Sequence, residues 1–382
     1  MGREVTAARG MLGMACPGSG RRVSAVGDVG EPAGRDGGTR ARRRRVGVVG
    51  AVSAVLLAVL TGCAAPSGSG GGTGERGRVG SVAAPADDPV RPFAAPGEDP
   101  EPEKCEDGSD PAESLKPSGE AGEAVERIQD RGRLVVGVDQ NSFLWGYRDP
   151  TTGKLGGFDI DLAKEIGKDI LGTDPDITFK TIPTDQRIRA LEKGDVDMVV
   201  RTMTISCERI EEVAFSTAYF EAGQQMLVPK DHARVKGFDK SLEGRRLCYA
   251  SGSTAETLMK EDDYQQLGAR TLRVPNQLDC LVRMQLGEAD AIVTDSALGA
   301  GQAAQDPSVR LIGEPVTVEP YGVAMNLEDE DLVRRVNKVL DDYRKGGAGS
   351  KWRAAYDEWL ADDMKGTGEG GAPKPPEPKY RD

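Results

Sequence analysis

Two stretches of this chain carry nearly the same message. Gly194-Asp-Val-Asp-Met-Val-Val and Gly287-Glu-Ala-Asp-Ala-Ile-Val each place a Gly-acid-x-Asp turn before an apolar run. A short uninterrupted apolar run behind a turn reads as a strand buried on both faces, and such strands belong to parallel sheets inside α/β folds. The flanking sequence has the matching alternation. Before the first run stand a helix at 124–131, a strand at 134–138, a turn at Arg148–Gly153, a helix from Gly157, a strand at 177–182 and a helix at 186–191; the run itself gives a strand at 196–200. Ile160, Ala163, Ile166 and Ile170 give the helix after Gly157 one apolar face. The second set has a strand at 246–249, a helix at 253–260, a strand at 271–274, a helix at 277–286 and a strand at 289–293. Strands alternating with helices, twice over, predict an α/β protein of two lobes. Open α/β sheets bind ligands beyond their strand ends, so two facing units share one cleft. Leu332, Val336, Val339, Leu340 and Tyr343 line one face of a late helix, which with the Trp352–Leu360 segment is expected to return to the first lobe after the chain recrosses near Tyr321.

The ends of the chain speak of location. Arg42 to Arg45 form a basic block, followed by an uncharged run, Val46 to Leu60. That run is shorter than the ~20 apolar residues of a spanning helix and suits the apolar region of a signal peptide. It closes on Leu60-Thr61-Gly62-Cys63, whose spacing resembles a lipobox, so Cys63 is expected to carry a lipid and begin the mature chain on the extracytoplasmic face of the membrane. Residues 63–104 are rich in Gly, Ser, Pro and Ala and read as a disordered tether, and 362–382 read as a disordered tail. Between them the expected organisation is a first lobe over 105–229, a second over 230–318 and a return to the first over 319–361.

The chain has 50 basic and 62 acidic residues, and ten of the arginines lie before Cys63, so the exported part is more acidic still. Nucleic acid is an unsuitable partner for such a surface. Cys105, Cys207, Cys248 and Cys280 form an even set in an exported chain, which predicts two disulfides with three possible pairings. A metal site is not expected, since there is no CxxC pair and His232 is the one histidine. No cofactor motif stands out.

Several segments together resemble the extracellular solute-binding proteins of family 3, the polar amino-acid receptors of ABC importers. The most specific is Gly157-Phe-Asp-Ile-Asp-Leu162 with Ile166, Gly167 and Ile170; Thr202-Met-Thr-Ile-Ser-Cys-Glu-Arg209, Phe215-Ser216 and Tyr219 follow, and then Ala250-Ser-Gly-Ser-Thr254 and Ala289 to Asp295. The likeness covers about residues 124 to 361. The stretch beginning at Cys105 and the end of the tail are similar to actinobacterial glutamate-binding lipoproteins in particular. The resemblance implies a two-lobed periplasmic-binding fold of type II, and disulfides pairing Cys248 with Cys280 and Cys105 with Cys207. It also implies a monomeric receptor without chemistry of its own, serving an ABC permease or, alternatively, a membrane signalling partner that reports to a protein kinase.

A free amino acid offers an α-carboxylate and an α-ammonium, so its receptor needs a fixed cation and a fixed anion. Arg209 suits the first, because a guanidinium forks onto a carboxylate. Thr202, Thr204 and Thr254 would assist it, and Asp295, closing the second lobe's strand, suits the ammonium. The competing structural roles are an ion pair of Arg209 with Glu208 or Glu212, and a helix cap for Asp295. Arg187 matches a position that in related acidic-amino-acid receptors meets the side-chain carboxylate; its competing role is a salt bridge with Asp185 or Glu192. Arg201 ends an apolar strand at the cleft, where a charge without an anionic partner is costly. More than one arginine favours glutamate or aspartate. Phe143 is the candidate apolar wall, although aromatics alternating as Phe143, Trp145 and Tyr147 do more often pack in a core or hinge. An enzyme on the same fold is disfavoured by the missing Ser/His/Asp and Cys/His sets, and a vestigial cleft by the intact Arg209 and Asp295.

Overall fold

The computed structural model describes residues 100–364 and 374–381. The expected signal segment, Cys63 and the tether up to residue 99 lie outside the described residues.

In chain order, α1 (Glu123–Arg131) leads into β1 (Leu134–Val138), then a small antiparallel ribbon of β2 (Asn141–Ser142), β3 (Gly146–Arg148) and β4 (Leu155–Gly156), then α2 (Phe158–Leu171). Next come β5 (Ile177–Thr181), α3 (Arg187–Glu192), β6 (Met198–Thr204), α4 (Cys207–Ile210), β7 (Ala214–Phe215) and β8 (Phe220–Ala222). The second set comprises β9 (Gln224–Pro229), β10 (Arg246–Ala250), α5 (Thr254–Leu258), α6 (Asp262–Gln265), β11 (Arg270–Val274), α7 (Gln277–Gln285), β12 (Ala291–Asp295), α8 (Ser296–Gln305) and β13 (Val309–Ile312). β14 (Glu319–Met325), α9 (Glu330–Arg344) and α10 (Lys351–Trp359) close the fold.

The two sheets are built alike. The first runs β5-β1-β6-β14-β7, with β8 also on β14; the second runs β11-β10-β12-β9-β13. In each, three strands are parallel, β5-β1-β6 and β11-β10-β12, and the fourth is an antiparallel strand supplied by a crossing of the chain, β14 or β9. The echoed Gly-acid-x-Asp turns lie immediately before β6 and β12, with Gly194 and Gly287 at φ of 65° and 69°. Helices cover both faces of each sheet, which is why the parallel strands are apolar without alternation. One large core joins α1, α2, α9 and α10 to the first sheet, and a second, on the sheet's other face, includes Leu191, Val199 and Phe215. The second sheet likewise has a core on each face.

Sequence and structure differ at several boundaries. β9 pairs with β12 and β13 in the second sheet, so the first crossing precedes Gln224 rather than following Pro229. β6 continues to Thr204, past the expected end at Val200. The tail is not wholly unstructured: Tyr380 forms a bridge with Ser114, Lys379 pairs with Asp110 at 2.6 Å, and the Tyr380 hydroxyl donates to Asp341 at 2.7 Å. A polar, proline-rich composition rules out a core of its own but leaves the backbone free to add to an existing edge. Within the expected tether, Pro102 likewise bridges to Val318, and the Glu103 carboxylate accepts the Cys207 N–H at 3.3 Å. Cys105 is bonded to Cys207, and Cys248 to Cys280.

The Gly-Phe-Asp start of α2 has a local explanation. Gly157 sits at φ 122°, and a Cβ there would run into the Trp145 carbonyl. Phe158 joins Trp145, Tyr219, Phe220, Tyr321 and Trp352 in a buried cluster of rings, and the Trp145 indole N–H donates to the Ala297 carbonyl of α8 at 3.1 Å. That bond ties the first lobe's core to the second lobe.

Candidate functional site

A narrow polar cavity, part of it open to solvent, lies where the ends of β1 and β6 face those of β10 and β12. Arg187, Arg201, Thr202, Thr204, Arg209, Thr254 and Asp295 all line it, together with Asp139, Ser142 and Ser253. Of the eight residues proposed from sequence as ligand contacts, only Phe143 does not. Its ring packs edge-on against Tyr147 at a centroid distance of 5.0 Å, and its carbonyl abuts Gly301 of α8. The backbone leaving β1 turns there into the β2–β3 ribbon, which delivers Ser142 to the cavity and Phe143 to the packing between lobes.

The first lobe's contribution depends on a defect in β6. Opposite β14, Met203 pairs with Gly322 and Val199 with Ala324, so β6 spends more residues than its partner on the same span. Such a bulge re-aims side chains. Thr202 lies in it at φ 42°, a strained value for a β-branched residue. Its N–H is held by the Asp159 carboxylate at 3.0 Å and lies 3.2 Å from the Tyr219 hydroxyl, which itself donates to Asp159 at 2.8 Å. The acid of the Gly-Phe-Asp motif is therefore a support behind the cavity. Burial pushes its carboxyl up to about 7, against the pull of Tyr219, the Thr202 N–H and Arg201.

Arg201, also in the bulge, pairs with Asp139 at 3.0 Å, both almost fully buried. Asp139 in turn accepts from the N–H groups of Gln140 and Asn141 and from the Ser142 hydroxyl. The Arg201 Nε is buried and has no hydrogen-bond partner among the described residues. Arg209 is carried by α4, a single turn capped by Ser206 and fastened through Cys207 to Cys105. Its guanidinium donates to the Thr204 carbonyl at 2.7 Å and to the Gly252 carbonyl at 3.1 Å, rather than to Glu208 or Glu212. Arg187 donates to the carbonyls of Thr184 at 2.9 Å and Gly252 at 3.0 Å, rather than to Asp185 or Glu192. Burial, with Arg209 and Arg201 adding to it, pushes the Arg187 pKa well below its ordinary value. Burial lowers that of Arg209 as well. Guanidiniums keep their proton, so this cost is a standing demand for an anion.

From the second lobe, Thr254 opens α5 behind its cap, Ser253. Asp295 occupies the cap position of α8 without bonding to that helix. It accepts instead from the Tyr321 hydroxyl at 2.7 Å and from the Gln224 amide. The same amide reaches a carboxylate the sequence reading did not single out, Glu319, at 3.1 Å. Glu319 is buried and takes further bonds from the hydroxyls of Thr204, Thr254 and Thr317. Burial, then the nearby Asp295 charge, pushes its carboxyl up to about 8. One acid in Thr-Val-Glu-Pro-Tyr offers no sequence signal. Asp139 did offer one, since it closes the apolar β1 as Arg201 interrupts β6.

Two α/β lobes joined by two crossings, with a polar cleft between them, define a bilobal ligand-binding protein. The sequence profile of the bacterial extracellular solute-binding proteins, family 3, matches residues 134–362, and the chain belongs to that family. The glutamine-binding protein GlnH of a Bacillus subtilis ABC transporter is 34% identical over 64% of this chain and 89% of its own length. The glutamate/aspartate import solute-binding protein of Salmonella typhimurium is 28% identical over 63% of this chain and 80% of its own. Among solved structures, a mutant of the arginine-binding protein of T. maritima superposes with a TM-score of 0.57 at 31% identity, covering 62% of this chain and 99% of that one. The family is one of extracellular solute-binding proteins, and the relatives just named carry amino-acid ligands in their descriptions.

Proposed function

We propose that this protein is an extracytoplasmic receptor for a free acidic amino acid, glutamate or aspartate, held at the membrane through Cys63 and delivering its ligand to an ABC importer. The supporting observation is the charge of the cavity wall. Three buried guanidiniums, Arg187, Arg201 and Arg209, face two carboxylates, Asp139 and Asp295. A dicarboxylic amino acid brings the missing negative charge, a glutamine does not, and an arginine would worsen the imbalance.

In this reading Arg209 takes the α-carboxylate, a better acceptor than the Gly252 carbonyl it now bonds. Thr202, Thr204 and Thr254 supply further donors around it, and Asp295 takes the α-ammonium. Arg201, steadied by Asp139 and with Nε unpartnered, takes the side-chain carboxylate beside Arg187. Closing the lobes on the ligand is the event the membrane partner reads.

The 34% identity to a glutamine-binding protein favours glutamine as the second reading. Calorimetric titration of the intact purified protein with L-glutamate, L-aspartate, L-glutamine and L-arginine separates the two. Tight binding of the acidic pair, lost in Arg209→Ala, is expected. Binding of glutamine alone would overturn the acidic assignment, and binding of none of the four would overturn the receptor reading.

A further inference from the structure

Glu319 does not line the cavity, yet two cavity-lining threonines from opposite lobes meet on it. Its Oε2 accepts from the Thr204 hydroxyl of β6 at 2.9 Å, the Thr254 hydroxyl of α5 at 2.9 Å and the Gln224 amide of β9 at 3.1 Å. Its Oε1 lies 3.1 Å from the Thr317 hydroxyl, which accepts the Gln224 backbone N–H at 2.7 Å. The residue begins β14, the returning crossing, and Gln224 begins β9, the outgoing one. One carboxyl thus joins both crossings and both walls of the cleft.

We propose that Glu319 is a positioning residue for ligand capture, whose neutral carboxyl fixes Thr204 and Thr254 in the arrangement that the closed cleft requires. The inference rests on the amino-acid-receptor reading given above and deepens it. A neutral carboxyl suits this place on geometric grounds. Gln224 already stretches its amide N–H groups between Asp295 and Glu319, and a second full negative charge beside Asp295 would form no salt bridge among the described residues. The charged and titratable groups around it are Asp295 at the end of β12, Arg209 of α4 and Tyr321 of its own strand, whose hydroxyl is committed to Asp295. Burial and the Asp295 charge push the carboxyl up to about 8, so it holds its proton at neutral pH and loses it above. When the lobes part and water enters, that upward push weakens. Closure therefore takes up a proton between the lower pKa of the open cleft and about 8, so ligand binding weakens as the pH rises through that interval and levels off above it.

The test is calorimetric titration of the intact purified protein with L-glutamate and, in parallel, L-glutamine for wild type, Glu319→Ala and Glu319→Gln, from pH 6.5 to 9. Removing the acceptor strands two hydroxyls and an amide, so Glu319→Ala is expected to bind about tenfold more weakly or worse at pH 7. Glutamine can place its carbonyl where Oε2 lies and its amide toward Thr317, so Glu319→Gln is expected to bind within about threefold of wild type at pH 7. Between pH 6.5 and about 8 the wild type should weaken more steeply with pH than Glu319→Gln, the two running parallel above it, a comparison that stands even if the alanine variant fails to fold. Wild-type affinity in Glu319→Ala, or parallel pH profiles for wild type and Glu319→Gln, would overturn the proposal. Wild type that binds neither glutamate nor glutamine would instead overturn the receptor reading beneath it.

Discussion

Arg187 and Arg209 of the first lobe both donate to one acceptor of the second, the carbonyl oxygen of Gly252, at 3.0 and 3.1 Å. A neutral carbonyl thus holds two guanidiniums that are both suited to a carboxylate. The loop that supplies it lies so close to the first lobe that a Cβ on Gly252 would sit 2.8 Å from the Cα of Asp185.

Gly252→Ala is therefore expected to weaken ligand binding more than it lowers the stability of the unliganded protein. The left-handed φ of 70° strains alanine in open and closed forms alike, by about 1 kcal/mol. The clash with Asp185 exists only when the lobes meet. Paired titrations and thermal melts would show it; equal losses in both would refute a closure-specific effect.

Arg201→Gln should shift preference from glutamate toward glutamine. The substitution removes one of three cavity guanidiniums and leaves Asp139 with its three other donors. A change of tenfold or more in the ratio of the two dissociation constants is expected, since a charge-assisted bond contributes about 1.5–3 kcal/mol. An unchanged ratio would place the side-chain carboxylate elsewhere, with Arg187→Gln the next variant to titrate.

Stability should fall between pH 5 and pH 8, and Asp159→Asn should fall less. The Asp159 carboxyl is raised from an ordinary carboxylate value to about 7 by burial. A raised folded-state pKa means a contribution fully present below about pH 4 and lost as the pH climbs through 7. Asparagine keeps an acceptor for the Thr202 N–H and can donate to the Tyr219 oxygen. Urea denaturation at the two pH values measures the difference, and equal slopes would exclude Asp159 as a source.

Replacing both Cys105 and Cys207 with serine should destabilise the protein and weaken ligand binding together. The bond closes a loop with a sequence separation of 102, for which loop entropy gives up to about 4–5 kcal/mol. It also fastens the single turn that carries Arg209. Unchanged affinity in a variant of lower melting temperature would confine its role to stability.

Much of this architecture was legible because it depends on burial. The echoed Gly-acid-x-Asp turns led to β6 and β12, and the periodic Ile160, Ala163, Ile166 and Ile170 to α2. What escaped depends on partners distant in sequence. The reach of β6 through Arg201 and Thr202 needs the bulge against β14, which no local pattern encodes. Gln224 to Pro229 pairs with strands far along the chain, and its Gln-Gln start does not read as a buried strand. Phe143 lies off the cavity lining, since alternation says which residues share a face and not which face meets the cleft. Glu319 has meaning only through the four side chains that converge on it.

The described stretches nearest the two chain ends, 100–115 and 374–381, are fastened to the same half of the molecule, through Cys207, Phe215 and Asp341. Among the described residues the second sheet has no such moorings; it continues into the first through the two crossings at Gln224 and Glu319. Any hinge motion therefore divides the protein into a stationary base and a swinging arm. The arm includes Cys248–Cys280, a staple internal to it, and the base includes Cys105–Cys207. A probe on α7 would report the full stroke of the movement, while one on α9 would stay still relative to both described ends.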